Sequence, residues 1–216
     1  MLTRRMFAQV AVSAPAAAFL ATQVDAEMPA RNSARNVELV HGAWGDVRSW
    51  SAVIPLLQAA GMRVTSVRHP RTSLADAAAE GRRALDWQDG PTVLAGHCWS
   101  GTLVSEIGVN PKVTSLVYVA AQAPDAGEDV AAFPARLPGI PERAEMLADR
   151  TTNAAWRSKP CWYAVSKFDQ TISPDLQRFL ALRMNATSVE LDAGHLALVT
   201  EPRAVADLVL AAAGRA

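Results

Sequence analysis

The chain has 216 residues, half of them hydrophobic, which suits one globular domain with a sizeable buried core. Lysine plus arginine number 21, as do aspartate plus glutamate, so the formal net charge is zero. This balance, without long runs of like charge, excludes the basic field with which proteins attract nucleic acid, and no nucleic-acid partner is expected.

The N-terminal segment, residues 1–26, is predicted to lie outside the folded domain. Paired arginines and a phenylalanine in TRRMF (residues 3–7) precede an alanine-rich apolar stretch, and VDA (residues 24–26) suits signal peptidase. This pattern resembles a twin-arginine export signal. The apolar stretch is too short for a membrane span of about 20 residues, so no stable membrane insertion is expected. We expect residues 27–216 to form a periplasmic or secreted domain; a non-functional signal would leave it cytoplasmic.

Strand and helix signals alternate along the rest of the chain. Near-continuous apolar segments predict strands, and apolar residues at helical spacing predict the helices between them. The predicted strands cover residues 36–43, 62–70, 91–98, 113–121, 159–166 and 187–193, and the predicted helices residues 47–61, 73–88, 99–110, 173–186 and 201–214. This alternation indicates an α/β fold, with a mostly parallel sheet of about six strands and helices on both faces.

One long segment breaks the alternation. Residues 122–158 contain four prolines and no strand signal, and they join the fourth predicted strand to the fifth. In open sheets of this kind, ligands bind at the carboxyl ends of the strands. The residues that follow each strand are therefore the candidates for function.

The sequence GHCWSG (residues 96–101) joins a predicted strand to a predicted helix and resembles the sharp turn on which hydrolases present a nucleophile. Cys98 occupies the nucleophile position, with Gly96 two residues before it and Ser100, in place of a second glycine, two after it. Backbone N–H groups at a helix N-terminus favour the thiolate, a strong nucleophile. Two alternatives stay open: Ser100 as the nucleophile, in a frame without either glycine, or Cys98 as a buried structural residue.

The second cysteine, Cys161, lies near the start of another predicted strand. In a parallel sheet the positions of Cys98 and Cys161 lie at opposite edges, whereas a disulfide needs Cα atoms within ~7 Å. We therefore predict two free thiols.

A cysteine nucleophile needs a base, and the chain has four histidines. His195 follows the last predicted strand, from which a histidine can reach across the strand ends to Cys98. His41 is interpreted as a structural residue that holds its loop, and His69 as a polar loop residue. His97 precedes Cys98 and is expected to point away from it.

The base needs a carboxylate to orient it, and an acyl-transfer site needs donors for the developing oxyanion. Asp169 follows the fifth predicted strand and is the expected acid, with Asp125, after the fourth strand, as the rival. The expected oxyanion donors are the backbone N–H groups of Trp99 and Ala43. Trp99 comes directly after Cys98, and Ala43 lies in the turn after the first strand.

Several segments resemble the α/β-hydrolase superfamily, in particular its small bacterial esterase-like members and the plant esterase and hydroxynitrile lyase branch. They are VHGAWGDVRSW, VLAGHCWSG, LVYVAAQAPDAGE, WYAVSKFDQTISPDLQRFLALRMNA and GHLALVTEP, and the resemblance covers residues 36 to about 213. Nucleophile, acid and histidine follow one another in the chain order of that fold. The resemblance implies a catalytic triad and two oxyanion-hole residues at the positions already named: Cys98, Asp169, His195, Ala43 and Trp99.

The chain departs from that family in two places. Most members have serine at the position of Cys98 and glycine at that of Ser100, although dienelactone hydrolases and polyester synthases have cysteine as the nucleophile. Residues 122–158 stand where relatives usually have a longer helical cap, and a shortened cap predicts an open site. The side chains expected to line it are Trp44, Trp99, Phe133 and Trp156. The other tryptophans are expected to pack in the core: Trp50, Trp87 and Trp162.

The sequence thus predicts a hydrolase of carboxylic esters, thioesters or lactones that acts on a small-molecule acyl substrate through a Cys-His-Asp triad and a thioester intermediate. Acyl transfer to an alcohol or amine is one alternative, and a non-hydrolytic binding protein or lyase of the same fold, or a degenerate scaffold, is another. No paired histidine or cysteine spacing predicts a metal site, and no glycine-rich phosphate or dinucleotide motif predicts a cofactor.

Overall fold

A computed structural model describes residues 33–129 and 148–215 of the protein. The strands in these ranges are β1 (Asn36–Val40), β2 (Arg63–Val67), β3 (Thr92–His97), β4 (Val113–Val119), β5 (Cys161–Ser166) and β6 (Thr187–Leu191). They form one six-stranded sheet in the order β2-β1-β3-β4-β5-β6, in which every neighbouring pair is parallel. The predicted parallel sheet is confirmed.

Helices cover both faces of this sheet, as predicted. In chain order they are α1 (Ile54–Ala59), α2 (Leu74–Asp86), α3 (Ser100–Ile107), α4 (Pro174–Arg183), α5 (Ala197–Thr200) and α6 (Pro202–Ala212), with short 3₁₀ turns at Val47–Trp50 and Ala155–Arg157. Apolar side chains of α2, α3 and α4 form one buried layer with the sheet, and those of α1, α5 and α6 form the other.

Two of the predicted elements have different bounds in the structure. The helix predicted at 47–61 is split into a 3₁₀ turn and α1, because Pro55 has no N–H and a fixed φ and so lies in the first turn of a new helix. The strand predicted at 36–43 ends at Val40. Residues 41–43 therefore belong to the loop at the carboxyl edge of the sheet.

One expected core tryptophan lies on the surface instead. Trp50 is fully buried and Trp162 packs partly buried against the core, but Trp87 is 84% exposed. The reason is that Trp87 forms the C-cap of α2, beyond the apolar face of that helix. The interpretation of Trp87 as a core residue was wrong.

The predicted export signal and much of the predicted cap lie outside the described residues. The domain boundary at residues 26 and 27 and the role of Phe133 therefore stay predictions. Near the ends of the gap, Asp129 and Arg150 form an isolated antiparallel bridge. In the described ranges, no helix is long and apolar enough to cross a membrane.

Both cysteines are buried and free, which confirms the prediction of two free thiols. Cys161 begins β5 at the amino edge of the sheet, whereas Cys98 follows β3 at the carboxyl edge. Burial raises the pKa of the Cys161 thiol to about 12, so this thiol stays protonated at neutral pH.

Hydrogen bonds at the amino edge of the sheet join the two ends of the described chain. The N–H of Ala34 donates to the carbonyl of Ala213 at 3.0 Å, and the guanidinium of Arg215 donates to the carbonyl of Ala34 at 3.1 Å. The hydroxyl of Ser115, in β4, donates to the carbonyl of Ala212 at 2.8 Å. The end of α6 is thereby fixed beside the residues that lead into β1.

Glu38 introduces a carboxyl group into the apolar core. It lies in β1 between Val37 and Leu39, is completely buried, and contributes two carboxyl oxygens that have no hydrogen-bond partner among the described residues. Burial without a compensating charge raises the pKa of Glu38 to about 8. At neutral pH the group is therefore largely protonated and uncharged.

Glu38 is expected to make stability fall as the pH rises. The unfolded chain releases this proton near pH 4.5, and the folded protein releases it near pH 8. The contribution of protonated Glu38 to the free energy of unfolding is therefore fully present below pH 4.5 and is lost as the pH rises through 8. At about 1.4 kcal/mol per pKa unit, the difference between 4.5 and 8 corresponds to a loss of roughly 5 kcal/mol. Urea unfolding of wild type and Glu38→Gln should give similar free energies at pH 5 and a more stable variant at pH 8. Glu80→Gln, which changes a partly exposed carboxylate paired with Arg83, is the control. Equal pH slopes for wild type and Glu38→Gln would contradict the prediction.

Candidate active site

Cys98 occupies a sharp turn between β3 and α3. Its backbone φ is 59°, in the left-handed region that residues other than glycine rarely adopt. Two glycines make room for the turn, because a Cβ on Gly42 would lie 2.9 Å from Cβ of Cys98, and one on Gly96 would lie 2.7 Å from Cγ2 of Val104. A strained turn of this kind between a strand and a helix is the geometry of a nucleophile elbow.

Ser100 and Gly101 together replace the second glycine of the elbow. The Ser100 side chain is completely buried, accepts the N–H of His97 at 2.8 Å, and has the carbonyl of Val40 at 2.9 Å as an acceptor. Its hydroxyl ties the ends of β1 and β3 together and is not free to act as a nucleophile. The helix α3 instead approaches the segment after β4 closely at Gly101, where a Cβ would lie only 1.8 Å from the carbonyl oxygen of Gln122.

His195 and Asp169 lie together at the carboxyl edge, as expected from the sequence. Asp169 follows β5 and His195 follows β6, and Nδ1 of His195 lies 2.8 Å from Oδ2 of Asp169. The Asp169 side chain is completely buried and that of His195 is largely buried. This contact fixes Nδ1 of His195 as the donor to Asp169, and leaves Nε2 for a second partner.

A network of donors holds the Asp169 carboxylate in place. Its Oδ1 accepts the backbone N–H groups of Thr171 at 2.7 Å and Ile172 at 3.0 Å, and its Oδ2 accepts Nε2 of Gln177 at 2.8 Å. Gln177 is completely buried in α4. Sequence reasoning did not find this residue, because a single glutamine in an amphipathic helix gives no signal of its function.

Asp125, the rival acid, faces a different partner. Its carboxylate accepts Nε of Arg157 at 2.8 Å and forms an ion pair with the same guanidinium. The side-chain hydrogen bond from Arg157 lowers the pKa of Asp125 below its usual range. Of the two candidates, the structure brings Asp169 to His195.

The charge state of His195 depends on both of its neighbours. Burial by itself lowers the pKa of a histidine, but hydrogen bonds to Asp169 and Cys98, together with the charges of those two groups, outweigh it and raise the pKa of His195 to about 10. The arrangement therefore favours a protonated imidazole between a carboxylate and the sulfur of Cys98.

Two backbone donors are available at the expected oxyanion positions. Ala43 lies in the loop after β1, and Trp99 directly follows Cys98 at the N-terminus of α3. Within residues 33–129 and 148–215, no acceptor pairs with the backbone N–H of Ala43 or of Trp99. Such unpaired donors beside a nucleophile are suited to a developing oxyanion.

The other three histidines surround the same edge of the sheet. His41 and His69 stack with ring centroids 4.1 Å apart, and Nε2 of His69 lies 3.0 Å from the carbonyl of His41, which fits the structural role expected for His41. Burial lowers the pKa of His41 to about 4. His97 contacts His195, a contact that the sequence did not indicate. In the part of the chain that the structure describes, no group of histidines, cysteines and carboxylates is arranged to hold a metal.

The residues expected to line the site have different environments. Trp44 is 49% exposed beside Ala43, but Trp99 and Trp156 are buried in the core, where Nε1 of Trp156 donates to the carbonyl of Pro124 at 2.8 Å. Two exposed apolar residues adjoin the site instead. Phe168, 64% exposed, precedes Asp169, and Leu196, 53% exposed, follows His195.

The sequence profile of the alpha/beta hydrolase family matches residues 39–153, which is more than half of the chain. A search of curated proteins gives no match.

Solved structures of several hydrolases and esterases share the fold. A pyrethroid hydrolase from Sphingobium faniae JZ-2 superposes with a TM-score of 0.74 at 18% sequence identity, over 84% of this chain and 98% of that one. An extracellular alpha/beta-hydrolase from a Paenibacillus species gives 0.69 at 18% identity, over 82% of this chain and 98% of that one. Polyneuridine aldehyde esterase gives 0.65 at 19% identity, with the same coverage of 82% and 98%. At these identities the likeness shows the fold.

Proposed function

The chain belongs to the alpha/beta hydrolase family, and from that premise we propose that it hydrolyses a carboxylic ester, thioester or lactone with Cys98 as the nucleophile. The observation that carries the proposal is the placement of Cys98 on a strained turn beside a histidine that is itself bonded to a buried carboxylate. These are the parts of a nucleophile, base and orienting acid.

In the first half of the proposed reaction, the Cys98 thiolate attacks the carbonyl carbon of the substrate. The carbonyl oxygen becomes an oxyanion, which accepts hydrogen bonds from the N–H groups of Ala43 and Trp99. As the tetrahedral intermediate collapses, Nε2 of the protonated His195 gives its proton to the departing alkoxide. The products are a free alcohol and an acyl thioester on Cys98.

In the second half, water hydrolyses the thioester. His195 removes a proton from the water as its oxygen attacks, and a second oxyanion forms at the same donors. Collapse breaks the bond from carbon to sulfur, releases the carboxylic acid and restores the thiolate with a protonated His195. Asp169 keeps its charge throughout and holds the imidazole in the required orientation.

We propose an apolar small-molecule ester as the substrate. The support is the position of Trp44, Phe168 and Leu196, which are exposed and each directly adjoin a residue of the proposed machinery. The names of neighbours in the same fold include hydrolases and esterases, which agrees with this reaction class.

We also propose that the protein is exported, because residues 3–7 have the twin-arginine pattern.

The experiment that tests the proposal is intact mass spectrometry after mixing the protein with an activated aryl ester and quenching at early times. We expect an acyl-sized increase that maps to Cys98 and appears with a burst of aryl alcohol. Adding an alcohol or amine acceptor shows whether the thioester is also transferred to a group other than water. If neither adduct nor burst forms across several acyl lengths, the non-hydrolytic alternative replaces this one.

A further inference from the structure

His97 occupies a position between two parts of the proposed machinery. It is the last residue of β3 and is almost completely buried. Its Nε2 lies 2.8 Å from the backbone carbonyl oxygen of His195, and the centroids of the two rings are 4.7 Å apart. On its other side, Nδ1 lies 3.3 Å from where a Cβ of Gly42 would be, so the ring also packs against the oxyanion loop.

The protonation of His97 follows from its surroundings. Burial, and then the charge of His195, lower the pKa of His97 to about 3, so the ring is neutral at any pH at which the enzyme would work. A neutral imidazole carries one proton, and a carbonyl oxygen can only accept. The proton is therefore on Nε2, and His97 donates to His195 without adding a positive charge beside it.

Other contacts hold the loop around His195 but leave its carbonyl to His97. The N–H of Phe168 donates to the carbonyl of Ala193 at 2.9 Å, and the N–H of Val199 donates to the carbonyl of Leu196 at 2.8 Å. Between those two anchors, His97 supplies the donor to the carbonyl of His195 in the described part of the chain.

We propose that His97 is a positioning residue for the reaction, which sets the place of the base His195 relative to the oxyanion loop at Gly42. This inference rests on the proposed function. A base must meet the reacting atoms in a narrow geometry, and an error of about 1 Å costs roughly 100-fold in rate. Asp169 fixes the direction in which the imidazole of His195 points, and His97 fixes the backbone that carries it.

Two substitutions of His97 distinguish the effect of its hydrogen-bond donor from the effect of its side-chain volume. His97→Met fills a similar space without a donor, and His97→Gln keeps an N–H near the position of Nε2. We expect His97→Met to lower kcat roughly 100-fold with KM within about threefold, and His97→Gln to restore kcat to within about tenfold of wild type. Proton NMR with labelled histidine should show the His195 Nδ1–H resonance shifted or broadened in His97→Met and close to wild type in His97→Gln.

His69→Met is the matched control, because His69 is also a buried histidine bonded to a backbone carbonyl. It should lower thermal stability about as much as His97→Met while leaving the His195 resonance in place. The proposal is overturned if His97→Met keeps both kcat and the resonance, or if His97→Met and His97→Gln lose activity equally, which would indicate packing alone. If wild type shows no ester turnover, the proposed function fails, but the resonance of His195 in the two variants still decides the role of His97.

Discussion

Replacing Cys98 by alanine is expected to abolish ester turnover, with kcat/KM falling roughly 10⁴-fold or more. The reason is that no second nucleophile is free at the elbow, since the hydroxyl of Ser100 is buried and bonded to the ends of β1 and β3. Initial rates with an aryl ester measure the effect. The same variant should also lower the pKa of His195 from about 10, because the hydrogen bond and charge of Cys98 are lost, and an NMR titration follows that change.

Two further variants serve as controls. One tests the effect of losing the side chain at position 98, and the other tests the alternative that Ser100 is the nucleophile. Cys98→Ser keeps the shape and should give an oxygen-ester adduct, which neutral hydroxylamine cleaves more slowly than the thioester of wild type. Ser100→Ala should lower stability but still form the adduct on Cys98. Turnover in Cys98→Ala above one tenth of wild type, or loss of the adduct only in Ser100→Ala, would contradict the assignment of Cys98.

Replacing Gly101 by alanine is expected to cost about 3 kcal/mol or more in the free energy of unfolding. The added Cβ would lie 1.8 Å from the backbone oxygen of Gln122 and 3.0 Å from Cβ of Ala121, and a backbone atom cannot turn aside as a flexible side chain does. The N–H of Gln122 also donates to the carbonyl of Cys98 at 3.0 Å, so displacing Gln122 should disturb the elbow as well. Thermal unfolding should show a midpoint lowered by roughly 6 to 12 °C.

Gly90→Ala is the matched control for Gly101→Ala. A Cβ on Gly90 would meet nothing within 4 Å, so the midpoint should stay within about 2 °C of wild type. If Gly101→Ala unfolds at the wild-type temperature, α3 and the segment after β4 can separate without cost, and the close approach at Gly101 is not a requirement of the fold.

The sequence predicted the sheet and the loops that carry the site, because both depend on short-range patterns. Near-continuous apolar strands that alternate with amphipathic helices predict a parallel sheet with helices on both faces. The residues that follow different strands then lie together at the carboxyl edge of that sheet. Cys98, Asp169 and His195 were selected in this way, each from its place in the segment that follows a strand, and the structure puts all three at the same edge of the sheet.

The residues that support the site could not be predicted from the sequence, since each depends on contacts between distant segments. Gln177 reaches Asp169 only because α4 packs with its buried face towards the end of β5. His97 reaches the carbonyl of a residue 98 positions along the chain. The burial of tryptophans could not be predicted for the same reason. Trp87 and Trp156 have identical side chains, but Trp156 packs in the core and Trp87 lies on the surface.

The bonds that join Ala34 to Ala213 and Arg215 have a consequence for how the protein can be handled. Both described ends of the chain emerge at the amino edge of the sheet, whereas Cys98, Asp169 and His195 lie at the carboxyl edge. A purification tag or a surface linker attached beyond Arg215 therefore starts at the edge of the sheet opposite Cys98, Asp169 and His195. Immobilising the protein through that end would place Cys98, Asp169 and His195 at the edge of the sheet away from the support, and a peptide joining residue 33 to residue 215 would need to cover only a short gap.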